Sequence, residues 1–314
     1  DALIKETIAT KFYAEADNSN TAVLQYDGFA VGNTYVVTIN GTSTTATVET
    51  EGQLTVVIDN MNVSTAENMS VYTVACKNDT QELIFNNVVA ITKILKLEED
   101  LRVLNGAAVG AGNYVLGYYL LGDNIDCADA LYEANSYSTG FFRGVFDGNN
   151  YTISNIKVGS CGIFGALYAA TIKNVNFTNV SIVTTGNNFN TLFAGSITNN
   201  STIENVNVSF KAIEWPYTNS YADNKVTGLL GARWNNTAHT VRNVTLDATG
   251  LTVTNALGVE ISGVTFENVK VLADDVTLIA CTKAYDNTSK LSAWPTGVTY
   301  TDTYDAIEIS DEFY

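Results

Sequence analysis

The stretch that decides the fold is Ile172-Lys-Asn174-Val-Asn-Phe177-Thr-Asn179-Val-Ser-Ile182. It holds two overlapping copies of one unit, in which apolar, polar and Asn residues are followed by apolar, polar and apolar residues. Asn is one of the few residues that tolerate a positive φ. Each unit therefore predicts a strand, a one-residue corner and a second strand, with the apolar residues on both sides of the corner facing inward.

The same unit recurs through the second half of the chain. Further copies begin at Ile153, Ile203, Val241, Ile261 and Phe266. Gly263 replaces Asn in one of these copies, and from Asn155 to Gly263 the successive corners are 19, 31, 38 and 20 residues apart. Repeats of this length cannot each bury their own apolar face, so they stack as a solenoid. The pattern predicts a parallel β-helix of about seven coils.

A second element combines two large apolar residues with two small ones. Its copies are Gly162-Ile-Phe-Gly-Ala166, Thr191-Leu-Phe-Ala-Gly195, Gly228-Leu-Leu-Gly-Ala232 and Thr277-Leu-Ile-Ala-Cys281. Because three of them precede a corner at a similar distance, we expect them to stack from coil to coil as a ladder with one tightly packed side.

The first part of the chain, residues 1–92, follows a different pattern. Short alternating strands are separated by turn signals such as Asn40-Gly41 and Glu51-Gly52. This pattern predicts an immunoglobulin-like β-sandwich, although the antibody-type cysteine pair is missing because Cys76 has no partner near Val23. We expect a spacer or docking module.

The four cysteines are widely spaced and form no Cys-x-x-Cys pair. This spacing argues against a zinc site and a disulfide framework. We predict buried free thiols at Cys76, Cys127, Cys161 and Cys281, with a Cys127–Cys161 bridge as the alternative.

The charge balance argues against some classes of binding partner. The chain has 33 acidic and 16 basic side chains and a net charge of −17, which argues against nucleic acid and anionic lipid as partners. The apolar stretches are too short to span a membrane. The chain opens without Met or a signal-peptide pattern, so we expect that a targeting segment has been removed.

Part of the repeat region resembles a known family. Phe142-Arg-Gly144-Val-Phe146-Asp-Gly148, followed by Gly162-Ile-Phe-Gly165 and Ala170-Thr-Ile-Lys-Asn174-Val, resembles the GLUG-type β-helix repeats of bacterial surface proteins. The resemblance covers about residues 91–282, and it departs from the motif where Thr191 and Ala194 replace glycines. It implies a secreted or cell-surface bacterial protein of the adhesin type, without defined catalytic residues.

Catalysis by the repeat region finds little support in the sequence. Glycoside hydrolysis generally requires two carboxylates, and residues 148–203 contain no Asp or Glu. Lys157 and Lys173, which could act as a lyase base, are expected to point to solvent. We therefore predict that the chain is not an enzyme and needs no cofactor. The alternative is a polysaccharide lyase or glycoside hydrolase with a site near Asp123–Asp129 and Arg143.

Two further groups of residues could carry chemistry. Asp123, Asp126 and Asp129 are weak candidates for a calcium site, and we favour a solvated turn, so no metal is predicted. His239 begins a strand and lacks a neighbouring nucleophile, so we expect it at the surface or at a corner without a catalytic role.

An insertion between Asn205 and Asn243 provides the candidate binding site. Flat aromatic faces beside polar groups are what a sugar platform needs. We therefore propose ligand contacts from a set of five residues, with the alternative, which we favour, that the tryptophans only pack the loop onto the coils. The five residues are Trp215, Tyr217, Tyr221, Asp223 and Trp234.

These inferences combine into one prediction. The fold class is all-β, with an immunoglobulin-like sandwich in residues 1–92 and a right-handed parallel β-helix, a pectin-lyase-like solenoid with a C-terminal cap, in residues 93–314. We predict a monomeric, extracellular bacterial adhesion or binding protein whose partners are glycans or host extracellular components. A non-binding structural spacer is the remaining alternative.

Overall fold

The computed structural model describes residues 4–8, 12–16, 21–57, 71–185, 189–214, 227–235, 237–281 and 290–304. The described chain is all-β and divides into two compact units. One comprises Asp1–Ile94 with Gly117–Leu120, and the other comprises Leu95–Leu116 with Leu121–Tyr314.

The N-terminal unit contains one sheet of eight described strands. They are β1 (Ile4–Ile8), β2 (Phe12–Ala16), β3 (Thr21–Gln25), β4 (Thr34–Ile39), β5 (Thr42–Thr47), β6 (Gln53–Val57), β7 (Val71–Lys77) and β8 (Gln81–Ile91). Their order is β5-β4-β7-β8-β2-β3-β6, with β1 also paired to β8. Phe29, Tyr35 and Phe85 form the centre of its core. Sheet structure is present here as the sequence predicts, whereas the immunoglobulin-like topology stays a prediction.

After β8 the described chain forms short and long strands in a β-solenoid of about 7 turns, which confirms the predicted solenoid; β9 and β11 each include residues of both units. The strands are β9 (Lys93–Leu95), β10 (Asn113–Val115), β11 (Tyr118–Leu121), β12 (Ile125–Asp126), β13 (Leu131–Tyr132), β14 (Gly140–Phe142), β15 (Val145–Asp147), β16 (Thr152–Ser154), β17 (Lys157–Val158), β18 (Gly165–Tyr168), β19 (Thr171–Ile182), β20 (Ala194–Thr198), β21 (Thr202–Ile213), β22 (Gly231–Arg233), β23 (His239–Val253), β24 (Val264–Val276) and β25 (Val298–Asp302). Short 3-10 helices span Glu98–Leu104, Gly106–Val109 and Ile261–Gly263.

Two parallel sheets run along the solenoid. One has the order β10-β14-β18-β20-β22, and the other contains the path β15-β19-β21-β23-β24-β25. Each of the four long strands β19, β21, β23 and β24 contains one Asn that has a left-handed backbone with φ between 52° and 54°. They are Asn174, Asn205, Asn243 and Asn268. β19 contains a second left-handed Asn, Asn179, with a φ of 55°. The predicted unit of strand, Asn corner and strand is therefore confirmed.

The predicted spacing of the coils needs correction at two places. Gly263 lies in a 3-10 helix, and the residue that stacks on Asn243 is Asn268, 25 residues later. Asn155 stacks on Asn179, 24 residues later, and not on Asn174. The 19- and 20-residue intervals are therefore not coil repeats. The physical reason is that a coil can contain two Asn corners, which look alike in sequence but belong to different edges of the solenoid.

The second repeated element forms the predicted ladder. Phe164 N donates to Phe193 O, and Phe193 N donates to Leu230 O, both at 2.9 Å. A Cβ added to Gly165 would lie 2.8 Å from Ser136 O, and one added to Gly195 would lie 3.0 Å from Cys161 Sγ, which explains the small residues on the tight side. The structure adds a rung that the sequence analysis missed, because Leu257 N donates to Ile279 O at 2.9 Å.

All four cysteines are buried and free, which confirms the predicted thiols. Burial raises the pKa of Cys76 and Cys127 to about 12 and that of Cys161 to about 11. Within the residues that the structure describes, no helix is long and apolar enough to cross a membrane.

Candidate functional site

A row of side-chain amides follows the solenoid at the Asn corners. Asn174 Nδ2 donates to Asp147 Oδ1 at 3.1 Å, and Asn205 Nδ2 donates to Asn174 Oδ1 at 3.0 Å. Asn243 Nδ2 continues to Asn205 Oδ1 at 3.1 Å, and Asn268 Nδ2 continues to Asn243 Oδ1 at 3.0 Å. We call this row the long ladder. It crosses five adjacent coils and its members beyond Asn174 are exposed.

A second, shorter row has the same construction. Asn155 Nδ2 donates to Asp126 Oδ1 at 2.9 Å, and Asn179 Nδ2 donates to Asn155 Oδ1 at 3.1 Å. We call this row the short ladder. The hydrogen bond from Asn155 and a second one from Ala128 N lower the pKa of Asp126, because both stabilise its carboxylate.

Both ladders begin at an aspartate that precedes a two-residue left-handed corner. Asp147 Oδ1 also accepts from Asn149 N at 3.0 Å, just as Asp126 Oδ1 accepts from Ala128 N at 2.9 Å. Asp147 is buried, and Lys173 Nζ lies 3.7 Å from its Oδ2. The aspartate thus serves two donors at once, the backbone of its own corner and the amide of the next coil.

The long ladder ends where the chain changes from Asn to Gly. Val269 pairs with Val298, so Gly297 occupies the corner that follows Asn268. Its φ of +87° retains the left-handed corner, and a Cβ there would lie 1.9 Å from Phe266 O. The corner geometry continues for one more coil without an amide.

A groove lies beside the long ladder. A second polar row, two residues further along each strand, faces it through Asn176, Asn207, Thr245 and Lys270, which are neighbours in the strand register. Asn207 Nδ2 donates to Asn176 Oδ1 at 3.0 Å. The space between the rows measures about 300 Å³. We call it the asparagine groove. Its lining residues are Asn150, Asn174, Asn176, Asn205, Asn207, Asn243, Thr245, Asn268 and Lys270.

The hydrogen bonds within the long ladder use only part of the hydrogen-bonding capacity of its amides. An Asn side chain has two N–H donors and two lone pairs on its oxygen. Toward the residues that the structure describes, Asn205 and Asn243 each use one donor and one lone pair, both within the long ladder, so each keeps a second donor and a second lone pair. Rungs of a β-sheet repeat every ~4.8 Å. The groove therefore presents neutral donors and acceptors at a regular spacing along the solenoid.

The residues proposed as a sugar platform have a different outcome. Trp215, Tyr217, Tyr221 and Asp223 lie outside the described residues. Trp234 is 2% exposed, and its Nε1 donates to Leu257 O at 2.9 Å. Its ring is enclosed in the coil stack and does not present a face to solvent.

The three aspartates considered for calcium have separate roles. Asp123 Oδ1 accepts from Asn124 N at 2.7 Å, Asp126 begins the short ladder, and Asp129 lies 3.8 Å from Lys157 Nζ. In the described parts of the chain, no group of three or more His, Cys, Asp or Glu residues could hold a metal ion.

The expected surface position of His239 is wrong. The side chain is 1% exposed; its Nδ1 accepts from Ser201 N at 3.2 Å, and its Nε2 donates to Trp234 O at 2.6 Å. Burial lowers the pKa of His239, because the charged imidazolium would lose its hydration. The residue is a neutral connector between two coils.

The basic residues weighed for catalysis also have structural partners. Lys157 contacts Asp129. The side chain of Lys173 is 19% exposed and lies beside Asp147, so it does not point to open solvent. The guanidinium of Arg143 lies over the rings of Tyr114 and Tyr168, at 5.4 Å and 5.3 Å from their centroids.

These aromatic rings belong to a cluster that the sequence analysis missed. Tyr114, Phe141 and Tyr168 lie on adjacent strands, with ring centroids 5.4–5.9 Å apart. Tyr114 is 37% exposed. The available signal in the sequence was an aromatic residue beside an inward-facing one, Tyr114 beside Val115 and Phe141 beside Phe142. The alignment of these rings could not be predicted without the strand register.

Comparison with known proteins gives one match. Residues 108–210, less than half of the chain, match the family model described as the M26 IgA1-specific metallo-endopeptidase N-terminal region. The model that matches is therefore this region and not the GLUG repeat. No curated protein and no solved structure matches the chain.

This match overturns the prediction that the chain is not an enzyme. It points to a metallopeptidase-related protein, through a region that lies N-terminal in those peptidases. A metallo-endopeptidase holds its metal with His, Cys, Asp or Glu side chains. The sequence contains one histidine, His239, and both of its ring nitrogens are engaged by Ser201 N and Trp234 O. The described residues therefore do not fit such a metal.

Proposed function

We propose that this chain is an extracellular binding region of a metallopeptidase-related bacterial surface protein, and that the asparagine groove binds neutral glycan chains. The observation that carries the proposal is the pair of polar rows along the groove, which offers unused amide donors and acceptors on successive coils. Hydroxyl groups of sugars both donate and accept, so they match amides that do the same.

The charge of the groove favours a neutral ligand. Lys270 is the one charged residue among those that line it, and the chain as a whole has a net charge of −17. An acidic polymer would meet this repulsion outside the groove and few cations inside it. A neutral carbohydrate meets neither obstacle.

The comparisons support an extracellular setting. The matched family model is named for an endopeptidase that is specific for IgA1, an extracellular protein substrate. Separately from the comparisons, the GLUG-type resemblance of the sequence implies a bacterial surface. The proposal includes the finer features of the fold, a right-handed winding and an immunoglobulin-like N-terminal unit. In an extracellular setting, a groove that binds glycans attaches the protein to a glycan-bearing surface.

The test is a binding screen of the purified chain against immobilised neutral glycans, acidic glycans and extracellular-matrix proteins. The diagnostic variant is Asn207→Ala, which removes one groove amide from an extended strand position. Its matched control is Thr202→Ala, which changes a polar residue of the same strand on the other side of the Asn205 corner. Losing one ligand hydrogen bond of about 0.5–1.5 kcal/mol should weaken binding by about twofold to thirteenfold in Kd.

A second matched pair lies on β23. Thr245 lines the groove, whereas Thr240 lies on the same strand before the corner at Asn243. We expect Thr245→Ala to weaken binding of a neutral glycan and Thr240→Ala to leave it unchanged. Selective binding to matrix protein alone, or equal effects of the two members of each pair, would contradict the proposal.

A further inference from the structure

The aspartates that begin the ladders have a role beyond capping a corner. We infer that Asp147 is a positioning residue that sets one hydrogen-bond direction through the whole long ladder, and thereby gives the asparagine groove a polarity that orients a chain-like ligand. The part of this inference that concerns a ligand rests on the proposed function, whereas the part that concerns the ladder does not.

The direction follows from the chemistry of the first contact. A carboxylate oxygen accepts hydrogen bonds and has no N–H to donate. Asp147 Oδ1 already accepts from Asn149 N, so the group that Asn174 turns toward it must be its Nδ2. An Asn174 amide turned the other way would place its oxygen against the carboxylate and lose the hydrogen bond.

The orientation of the first amide then determines the others. With Nδ2 of Asn174 turned toward Asp147, its Oδ1 faces the next coil and requires a donor, which Asn205 Nδ2 supplies. The same step repeats at Asn243 and Asn268. Turning one amide within the row would set two oxygens or two NH2 groups against each other. The row is therefore oriented as a unit, and the acceptor at its head selects the direction.

A single direction makes the two ends of the groove different. At every rung the ladder donor points toward the N-terminal coil and the ladder acceptor toward the C-terminal coil. The unused donor and lone pair of each amide keep the same arrangement from rung to rung. A glycan chain also differs between its two ends, so its hydroxyl groups match this pattern in one orientation better than in the other.

The experiment is an NMR measurement of scalar couplings across the side-chain hydrogen bonds of the full chain, with no ligand present. In the unmodified protein, Nδ2 of Asn243 should couple to Cγ of Asn205, and Nδ2 of Asn268 to Cγ of Asn243. In Asp147→Ala the acceptor at the head is gone, so we expect a second set of amide signals with the couplings reversed, including at Asn268.

The short ladder provides the matched control. Asp126→Ala should double the signals of Asn155 and Asn179 and leave the couplings of the long ladder unchanged. Asp147→Asn keeps an oxygen that can accept from Asn149 N and Asn174 Nδ2, so it should retain the original single set. A role of Asp147 that is only local would disturb Asn174 without reversing the couplings three coils further along.

A second variant covers the case in which Asp147→Ala does not fold. Asn174→Gly leaves Asp147 in place, tolerates the left-handed corner, and disconnects the rest of the row from its head. It should also produce the reversed couplings at Asn243 and Asn268. Unchanged couplings in the folded variants would overturn the inference. A blank glycan screen together with reversed couplings would instead refute the proposed function and leave the role of Asp147 standing.

Discussion

Asn205 is the position where the cost of breaking the long ladder can be worked out most directly. Its φ is 54°, its Nδ2 donates to Asn174 Oδ1, and its Oδ1 accepts from Asn243 Nδ2. Asn205→Ala places a residue with a Cβ and no compensating side chain in the left-handed region, which costs about 1–2 kcal/mol. Two exposed hydrogen bonds add about 0.5–1 kcal/mol each. We expect the free energy of unfolding to fall by about 2–4 kcal/mol.

Two comparison variants separate these contributions. Asn205→Gly retains the corner and loses the hydrogen bonds, with about 0.5–1 kcal/mol of added backbone entropy, so it should be less destabilising than Asn205→Ala. Asn207→Ala changes an exposed Asn of the same strand that lies in extended backbone and donates to Asn176 Oδ1. It should cost only about 0.5–1 kcal/mol.

Differential scanning calorimetry provides the measurement. For a unit of about 150–250 residues, each kcal/mol corresponds to about 2–4 °C in Tm. Asn205→Ala should therefore lower the Tm of the solenoid by several degrees more than Asn207→Ala. Equal shifts for these two variants would refute the reasoning, because they would show that the left-handed corner and the second hydrogen bond of Asn205 add nothing to the stability that one exposed hydrogen bond provides.

Three further outcomes can be checked on other parts of the structure. Gly162→Ala should destabilise the solenoid more than Gly250→Ala, although both glycines have positive φ. A Cβ at Gly162 would lie 2.6 Å from Leu192 O, whereas nothing would lie within 4 Å of a Cβ at Gly250. Equal urea midpoints for the two variants would contradict this prediction. Burial lowers the pKa of His239, so the imidazole binds a proton more readily in the unfolded chain than in the folded one. The free energy of unfolding should therefore decrease as the pH falls below 6.5. The decrease between about pH 7.5 and 5.5 should be smaller in His239→Gln. Burial raises the pKa of the Cys76 thiol to about 12, so a thiol reagent should modify it only as the protein unfolds, and rapid modification of the native protein would show that the site is open.

The regular part of the fold could be predicted because one residue type does one local job. A left-handed corner strongly favours Asn or Gly, so an Asn between two apolar-polar alternations predicts a bend in the strand. The positive φ values of Asn174, Asn205, Asn243 and Asn268 agree with this prediction. The apolar residues that follow the corners, such as Val175 and Val206, are buried as the same pattern requires.

The stacking of the coils could not be predicted from the same unit. Asn155 and Asn174 have identical local patterns, but their side chains bond to different aspartates, Asp126 and Asp147. The assignment of a corner to a ladder depends on the neighbour in the adjacent coil, 24 to 38 residues away. Variable loops change this distance from coil to coil, so the sequence interval alone does not identify the neighbour.

The candidate site depended on the same missing information. Trp234 combines an aromatic ring with polar neighbours, which suggested a binding surface, but its partner Leu257 O comes from a stretch 23 residues later in the chain. The asparagine groove is the reverse case, a candidate site that no single repeat of the sequence indicates. Its walls consist of residues that look purely structural in any single coil, and the groove exists only where several coils lie side by side.

The two rows of the groove consequently differ in what they contribute. Asn205 both turns the chain and lines the groove, so changing it alters stability and ligand contacts together. Asn207 and Thr245 line the groove from extended backbone and are not needed for a corner. Substitutions in this second row should therefore change binding at nearly constant stability, which allows a binding function to be tested independently of the fold that supports it.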